Sequence, residues 1–349
     1  MGIAMIVAKK ERFIDILTVL SCVAVVFLHC NGVFWSRPTG SKWITSNLIE
    51  TLFYFAVPVF FMISGYTLME YRKRYDDATF IRKRFDKTVI PFLAWSFIAY
   101  VFVGYWDGNL FVDFSLSKFI LDTINCSYFQ VYWFFIPLFA CYLSIPVLSG
   151  FCDKGKDGVL LLITYSFISY SVIPFVSRFC NIGINSNLLS PVGGGYVLYL
   201  LLGYVFGKYD ISRIKRLCIY VLGVIGFFCH FFGTLLLSPV DHVNDLFKGY
   251  LNFPCVLYSV AIFVFFKHNE FSKLFENDIF YRFFCLIKSC SLPIYLIHGF
   301  FVYYIIPSLG FIRTDSTLYR LIGPFAIIFM CIFVTVCIRK IPYANKIVP

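Results

Sequence analysis

The sequence predicts an all-α, polytopic membrane protein with about ten transmembrane helices. Of the 349 residues, 60% are hydrophobic and only 14% are charged, and the mean hydropathy is +0.80. A soluble domain of this size carries about 25% charged residues. The apolar runs are continuous over about 20 residues, whereas the strands of a membrane β-barrel alternate at every second residue. The composition is therefore that of a bundle of membrane-spanning helices.

Ten apolar segments divide the chain, and each is a candidate membrane span. The sixth is short and rich in glycine. The ten segments are residues 14–34, 48–70, 88–106, 131–150, 158–177, 193–207, 217–237, 249–267, 283–306 and 318–338. The sequence has no internal repeat, and the stretches between the segments are too short for a soluble domain. Residues 1–349 are therefore predicted to form a single integral-membrane domain.

Lysine and arginine predict the orientation of these helices. If the N-terminus lies inside, 23 of the 30 Lys and Arg residues fall in inner segments. Positive residues accumulate in cytoplasmic loops, so both termini are predicted to be cytoplasmic. These loops also explain the net charge of +11, and no nucleic-acid partner is expected. The inner segments are residues 9–12, 72–87, 154–156, 208–216, 267–288 and 339–346.

Two histidines inside apolar segments point to chemistry. His29 ends the run FIDILTVLSCVAVVFLH and His298 ends SLPIYLIH, each about sixteen residues into its segment. An ionisable side chain at membrane depth is costly and usually functional, and histidine moves protons near neutral pH. Both segments are predicted to run from inside to outside, so the two imidazoles are expected at similar depth. For each, a buried histidine bonded only to a neighbouring helix is the alternative.

The remaining histidines and the cysteines give no metal site. His230 has no polar companion on its helix face and is predicted to be structural, while His242 and His268 fall in loops. No HxxxH, HxxE or CxxC spacing occurs. Most of the 13 cysteines lie in apolar runs, where they are small core residues. Cys126 and Cys180 both fall in outer loops, which leaves a disulfide between them open.

The first apolar segment has one polar face. Thr18 lies eleven residues before His29, which is about three helical turns, and Asp15 falls within ~40° of the same face. Asp15 is ~21 Å from His29 along the helix axis and cannot orient its imidazole. We therefore expect Asp15 to pair with Arg12 or with a cation of the 72–87 loop.

The inner loop 72–87 contains seven Lys and Arg residues. They favour an anionic lipid or a phosphorylated ligand such as a coenzyme, although ordinary positive-inside anchoring is the alternative. Arg84 and Lys87 are three residues apart at the start of a predicted helix, where one phosphate could reach both. Arg82 and Lys83 belong to the same cluster.

Two further elements are interpreted from their position. In VPVFFMISGY, Pro58 frees a backbone carbonyl and Ser64-Gly65 permits close approach of another helix, which favours packing. Trp133 lies at the outer end of its segment, where tryptophan commonly anchors a helix at the interface.

Five motifs in this order resemble the membrane-bound acyltransferase family 3, the integral-membrane O-acyltransferases of bacterial surface glycans. They are a first helix with Asp15 and His29, then VPVFFMISGY, a basic RKRFDK leading into IPFLAW, VYWFFIPLF, and SLPIYLIH near the end. Each motif alone is only weakly specific for the family. The five motifs in this order, on a chain of ten apolar segments, are specific. The resemblance covers nearly the whole chain.

The resemblance implies transfer of an acyl group, most simply acetyl, from acyl-CoA to a sugar hydroxyl. The acceptor would be a cell-surface polysaccharide such as an O-antigen, or its lipid-linked precursor. Acetyl-CoA would be a co-substrate, with no bound cofactor and no metal. The location would be the bacterial inner membrane, with membrane lipid around the protein.

The expected site residues follow from the resemblance and the residues together. His29 and His298 are the catalytic candidates. Supporting polar residues are Asp15, Ser64, Tyr66 and Tyr295. Donor-binding candidates are Arg12, Arg82, Lys83, Arg84 and Lys87. Trp133 is expected on the acceptor side.

The chain departs from the family pattern in two places. Thr18 stands where the family often has Arg, with Arg12 as a possible replacement, and Lys87 fills the fourth position of an Arg-x-x-Arg motif. Lysine keeps the charge but loses bidentate geometry. A transporter or flippase of a glycan intermediate, and a non-catalytic scaffold, are the alternative functions. Direct transfer and an acyl-enzyme are both compatible with the sequence.

Overall fold

The computed structural model describes residues 2–109, 115–153, 155–189, 192–271 and 275–349. The described chain is helical. Its α-helices are α1 Gly2–Cys30, α2 Gly40–Phe53, α3 Ala56–Leu68, α4 Asp77–Arg84, α5 Ile90–Trp106, α6 Leu116–Asn125, α7 Phe135–Cys152, α8 Lys156–Phe167, α9 Ile173–Cys180, α10 Val197–Lys208, α11 Arg213–Leu237, α12 Phe253–His268, α13 Asp278–Ser289, α14 Ser291–Phe300, α15 Ile306–Ser308 and α16 Thr317–Arg339.

Short 3-10 and π-turns join several of these helices into longer rods. The π-turns are Phe85–Val89, Ile168–Val172 and Phe301–Ile305. The 3-10 turns are Gly32–Ser36, Tyr71–Lys73, Gln130–Phe134, Ser186–Leu188 and Ala344–Lys346. Cys126, which directly follows α6, and Cys180, the last residue of α9, both carry free thiols.

Eight helical rods in the described chain are long and apolar enough to cross a membrane. They are Arg12–Cys30, Gly40–Lys73, Asp77–Trp106, Gln130–Cys152, Lys156–Cys180, Arg213–Leu237, Ser291–Ser308 and Thr317–Arg339. The two other predicted segments form the shorter apolar helices α10 and α12, of 12 and 16 residues. At ~1.5 Å per residue these are shorter than a hydrocarbon core of ~30 Å. The all-helical, polytopic prediction is confirmed, with eight long spans.

The ninth predicted segment, 283–306, is divided in the structure. Helix α13 ends at Ser289 and α14 begins at Ser291. Pro293 lies in the first turn of α14, where a residue without an N–H is tolerated and interior proline is not. The predicted helix therefore starts too early, because the signal for a new helix lies within the apolar run.

The motif around Ser64-Gly65 packs α3 tightly against α10. A Cβ atom at Gly65 would overlap the backbone of Leu200, and one at Gly203 would overlap the backbone of Met62. Only glycine lets two helix backbones approach this closely. The packing interpretation of the motif is confirmed, and the short helix α10 lies in the centre of the bundle with nine buried residues.

Candidate functional site

A cavity of about 780 Å³ opens beside the C-terminal end of α1, the predicted outer end of that helix. It is mostly aromatic, with a few polar side chains. The lining residues that the argument uses are His29, Glu50, Tyr54, Trp133, Tyr250, Tyr295, Tyr303 and Tyr304. They come from five separate parts of the chain. This cavity therefore gathers side chains that the sequence separates by up to about 275 residues.

His29 lies in the last turn of α1, and its ring forms part of the cavity wall. Its Nδ1 atom is 2.6 Å from the hydroxyl oxygen of Tyr303. No described residue hydrogen-bonds Nε2 of His29. One ring nitrogen is thus held by the protein and the other is available to a ligand in the cavity.

His298 lies directly behind His29, with the two ring centroids 4.9 Å apart. It is completely buried. Its Nδ1–H donates to the carbonyl of Ile294 at 3.0 Å, which leaves Nε2 as an acceptor, and Nε2 has no partner among the described residues. The prediction that the two imidazoles share one depth is confirmed.

Tyr303 was not predicted from the sequence. It lies five residues after His298, and in an α-helix five residues would turn it ~140° away from that histidine. The π-turn Phe301–Ile305 widens this part of the helix, so that His298 and Tyr303 both contact His29. Single π-turns inside α-helices occur frequently at functional sites.

Asn31 fixes the end of α1 just beyond His29. Its side-chain amide donates to the carbonyl of Ser46 at 2.9 Å and to Oε2 of Glu50 at 3.1 Å. Its oxygen accepts from Arg320, at 3.4 Å. Arg320 is itself completely buried and also donates to the hydroxyl of Thr45. Three helices are thereby joined around one buried amide, which restricts the position of His29.

Glu50 and Lys248 are two buried ionisable side chains beside the cavity. Each is only 3% exposed, and they lie close enough for their charges to interact. The Lys248 ammonium also lies 3.1 Å from Nε2 of His230 and 4.4 Å from the centre of the Phe34 ring. A carboxylate at membrane depth is costly and typical of a functional interior. Of Glu50, Lys248 and His230, Glu50 is the one that lines the cavity.

Part of the cavity wall is a row of stacked rings. Trp133 stacks on Tyr250 with centroids 5.5 Å apart, and Tyr250 stacks on Tyr54 at 4.4 Å. Trp133 is therefore part of the cavity wall. Tyr295 donates to the carbonyl of Val131, and Tyr132 donates to Leu296 at 2.8 Å. This last pair of bonds attaches the turn that carries Trp133 to the helix that carries His298.

The basic cluster lies at the opposite, predicted inner end of the bundle. Asp76 accepts hydrogen bonds from Thr79 at the start of α4, and these bonds hold the pKa of Asp76 below its usual range. Arg84 ends α4 and is half-buried, with its guanidinium 5.6 Å from the centre of the Tyr142 ring. Arg84 is thus turned toward the bundle interior.

The other members of the basic cluster are exposed. Arg82 is 84% exposed and lies 3.8 Å from Asp86. Lys83 lies over the ring of Tyr75, with 4.0 Å from its ammonium to the centroid. Lys87 is exposed and belongs to the π-turn after Arg84. Arg84 is therefore half-buried, whereas these neighbouring cations are exposed.

Asp15 does not form the expected ion pair. Its carboxylate lies 2.7 Å from Lys288, at the end of α13, and not beside Arg12 or a cation of the 72–87 loop. Arg12 instead lies over the Phe275 ring, at 5.8 Å. Because the helix is interrupted at Cys290, α13 is a separate helix and places Lys288 against α1. Tyr66 is also remote from the cavity, since its ring packs on Phe13 at 5.3 Å.

The arrangement at the cavity is suited to removing a proton from a bound hydroxyl group. An imidazole with one nitrogen held and one available is a general base by geometry. Over the described residues, no group of three or more His, Cys, Asp or Glu side chains is placed to hold a metal ion. Glu50, Tyr303 and Lys248 were missed from the sequence. Glu50 had a signal, because it is the one acidic residue in the segment 48–70 before Glu70.

Comparison with known proteins agrees with this chemistry. A family model described as an acyltransferase domain, that of acyltransferase family 3, matches residues 11–339. No curated protein and no solved structure matches the chain significantly. The family match includes every site residue described above. The chain therefore belongs to membrane acyltransferase family 3 and is a multi-pass membrane protein of the acyl-transfer class.

Proposed function

We propose that the protein transfers an acetyl group from acetyl-CoA to a sugar hydroxyl of a cell-surface polysaccharide, such as an O-antigen, or of its lipid-linked precursor. The observation that carries the proposal is His29, with Nδ1 bonded to Tyr303 and its ring in the wall of the outer cavity. The protein would lie in the bacterial inner membrane. Acetyl-CoA is a co-substrate in this scheme, and no resident cofactor takes part.

The reaction assigns each nitrogen of His29 a role. A sugar hydroxyl is a weak nucleophile and needs a base. If Nδ1–H donates to the Tyr303 oxygen, Nε2 has a free lone pair and takes the hydroxyl proton. The hydroxyl oxygen then bonds to the thioester carbonyl carbon, the carbon–sulfur bond breaks, and the thiolate of CoA leaves and takes the proton back from His29. His298, with its own Nε2 unpaired behind His29, is proposed to stabilise the charged imidazole.

The acceptor and the donor are proposed to enter from opposite ends. The stacked rings of Trp133, Tyr250 and Tyr54 offer flat apolar faces to a sugar ring, and Glu50 offers an acceptor to its hydroxyl groups. Sites of this kind combine an aromatic wall with a few placed polar groups. On the inner side, the half-buried Arg84 is the proposed contact for a phosphate of the donor, with Lys87, Lys83, Arg82 and Arg12 around the entrance.

The test is the O-acetyl content of the host's surface glycan, measured by NMR. Three strains are compared: wild type, a deletion, and the deletion complemented with the intact gene. Loss of acetyl on deletion and its return on complementation support the proposal. If the glycan disappears altogether on deletion, export or assembly of a glycan intermediate becomes the better function. Unchanged acetylation in all three strains would exclude this acceptor.

A further inference from the structure

A second cavity lies at the predicted inner end of the bundle, away from the histidines. Its volume is about 330 Å³, and it lies where α8 and α11 begin and α10 ends. Three charged side chains line it, namely Lys156, Lys215 and Asp210. The Lys156 ammonium lies 4.9 Å from the centre of the Tyr209 ring, which keeps the charge beside the cavity. Two cations and one carboxylate give the cavity a net charge of about +1 at neutral pH.

An apolar groove of about 230 Å³ continues from this cavity. The two share Phe206 of α10. The groove is lined by aliphatic and aromatic side chains and by Thr164, whose hydroxyl already donates to the carbonyl of Leu160 at 2.9 Å. The groove therefore offers no unpaired hydroxyl, and it suits a hydrocarbon chain.

Two of these helices, α8 and α11, change from charged to apolar in register. On α8, Lys156 and Leu160 line the cavity, and Ile163 and Phe167 line the groove, at spacings of four, three and four residues. Such spacings place the side chains on one helix face. The face of α8 thus leads from a cation at the inner boundary to apolar surface at membrane depth.

Helix α11 repeats the pattern. Lys215 lines the cavity, and Ile219 and Leu222 line the groove, four and three residues further on. Leu222 of the groove is 44% exposed, so the groove is open toward the surrounding lipid. Two independent helices therefore present the same sequence of a lysine followed by an apolar stripe.

We propose that the cavity and groove together bind one anionic phospholipid from the inner leaflet. The phosphodiester would lie between Lys156 and Lys215, and an acyl chain would lie along Ile163, Leu202, Ile219 and Leu222. One negative charge matches the net charge of the cavity, and the order of phosphate and chain matches the order of cavity and groove. Basic pockets between helices on the cytoplasmic side commonly bind anionic headgroups. The inference does not depend on acyl transfer.

The test measures the unfolding temperature of the purified protein in detergent, with dioleoylphosphatidylglycerol or dioleoylphosphatidylcholine added. The variants are Lys156→Gln/Lys215→Gln and a matched control, Lys340→Gln/Lys346→Gln, which removes two cations elsewhere on the inner side. We expect phosphatidylglycerol to raise the unfolding temperature of wild type and control by about 3 °C. The increase should fall by more than half in Lys156→Gln/Lys215→Gln and with phosphatidylcholine.

Further measurements test the role of the groove and whether a soluble phosphate alone is sufficient. Leu222→Trp narrows the groove at an exposed position and should also reduce the response to phosphatidylglycerol. Glycerol 3-phosphate, which lacks the acyl chains, should give no shift. The proposal is contradicted if both lipids act equally, if the double lysine variant responds like wild type, or if glycerol 3-phosphate reproduces the effect. Since Lys215 is exposed, Lys215→Gln alone is the fallback should the double variant not fold.

Discussion

The Nδ1 atom of His29 lies 2.6 Å from the hydroxyl oxygen of Tyr303, which is 274 residues later in the chain. This contact fixes the orientation of the His29 imidazole in the wall of the outer cavity. It depends on the π-turn Phe301–Ile305, which brings Tyr303 to the same side as His298. In the proposed reaction, Tyr303 keeps the proton of His29 on Nδ1 and leaves Nε2 as the base.

Replacing Tyr303 by Phe should therefore lower the transfer rate about tenfold, the effect of one lost hydrogen bond of ~1.4 kcal/mol in the transition state. The effect should fall on kcat, since the ring that lines the cavity remains. Tyr304→Phe is the matched control, because Tyr304 also lines the cavity but has no contact with His29. Equal rates for Tyr303→Phe and Tyr304→Phe would remove Tyr303 from the site.

His298→Phe tests the second histidine with little change in volume. If the unpaired Nε2 stabilises the charged form of His29, transfer should fall about tenfold, the effect of losing ~1.4 kcal/mol of transition-state stabilisation. Protein yield and unfolding temperature are measured alongside the rate. A variant that folds normally and transfers at the wild-type rate would show that His298 only fills space.

Glu50→Gln tests the buried charged network. Removing one partner leaves the buried ammonium of Lys248 without its counter-charge, and we expect a loss of about 3 kcal/mol in stability. The double variant Glu50→Gln/Lys248→Met should recover most of that loss, because both charges are then gone. Thermal unfolding of the two variants and of Lys248→Met alone gives the coupling. Additive losses would mean that the two charges do not stabilise each other.

Arg84→Gln should raise the KM for acetyl-CoA about tenfold and leave the KM for the glycan unchanged, because Arg84 is the inward-turned member of the basic cluster. Lys340→Gln is the control, since Lys340 is an exposed cation on the predicted inner side and is not a donor-binding candidate. An unaltered donor KM in Arg84→Gln would place the donor phosphates elsewhere.

The apolar runs predicted most of the fold, because the length of a continuous apolar segment reports a membrane span directly. The break at Cys290 was missed, although Pro293 marks the start of a new helix within the run. That break also explains the error at Asp15. The expected partner was Arg12 or a cation of the 72–87 loop, whereas the folded chain places Lys288 there.

The sequence predicted those site residues that stand out within a single helix. His29 stands out because a polar group in an apolar helix is costly, and a shared orientation placed His298 at its depth. Tyr303 could not be predicted in this way, because the direction of its side chain depends on a π-turn that residue spacing does not predict. Glu50 and Lys248 meet only in the folded bundle, 198 residues apart in the chain.

The most direct test of the central claim measures transfer of labelled acetyl from acetyl-CoA to the extracted surface glycan by purified His29→Gln in lipid nanodiscs. Gln keeps a polar side chain but cannot accept the proton as imidazole does. We expect a loss of at least about 100-fold, in the range of general base catalysis, with an unfolding temperature close to that of wild type. A folded His29→Gln protein that transfers acetyl at the wild-type rate would contradict the account.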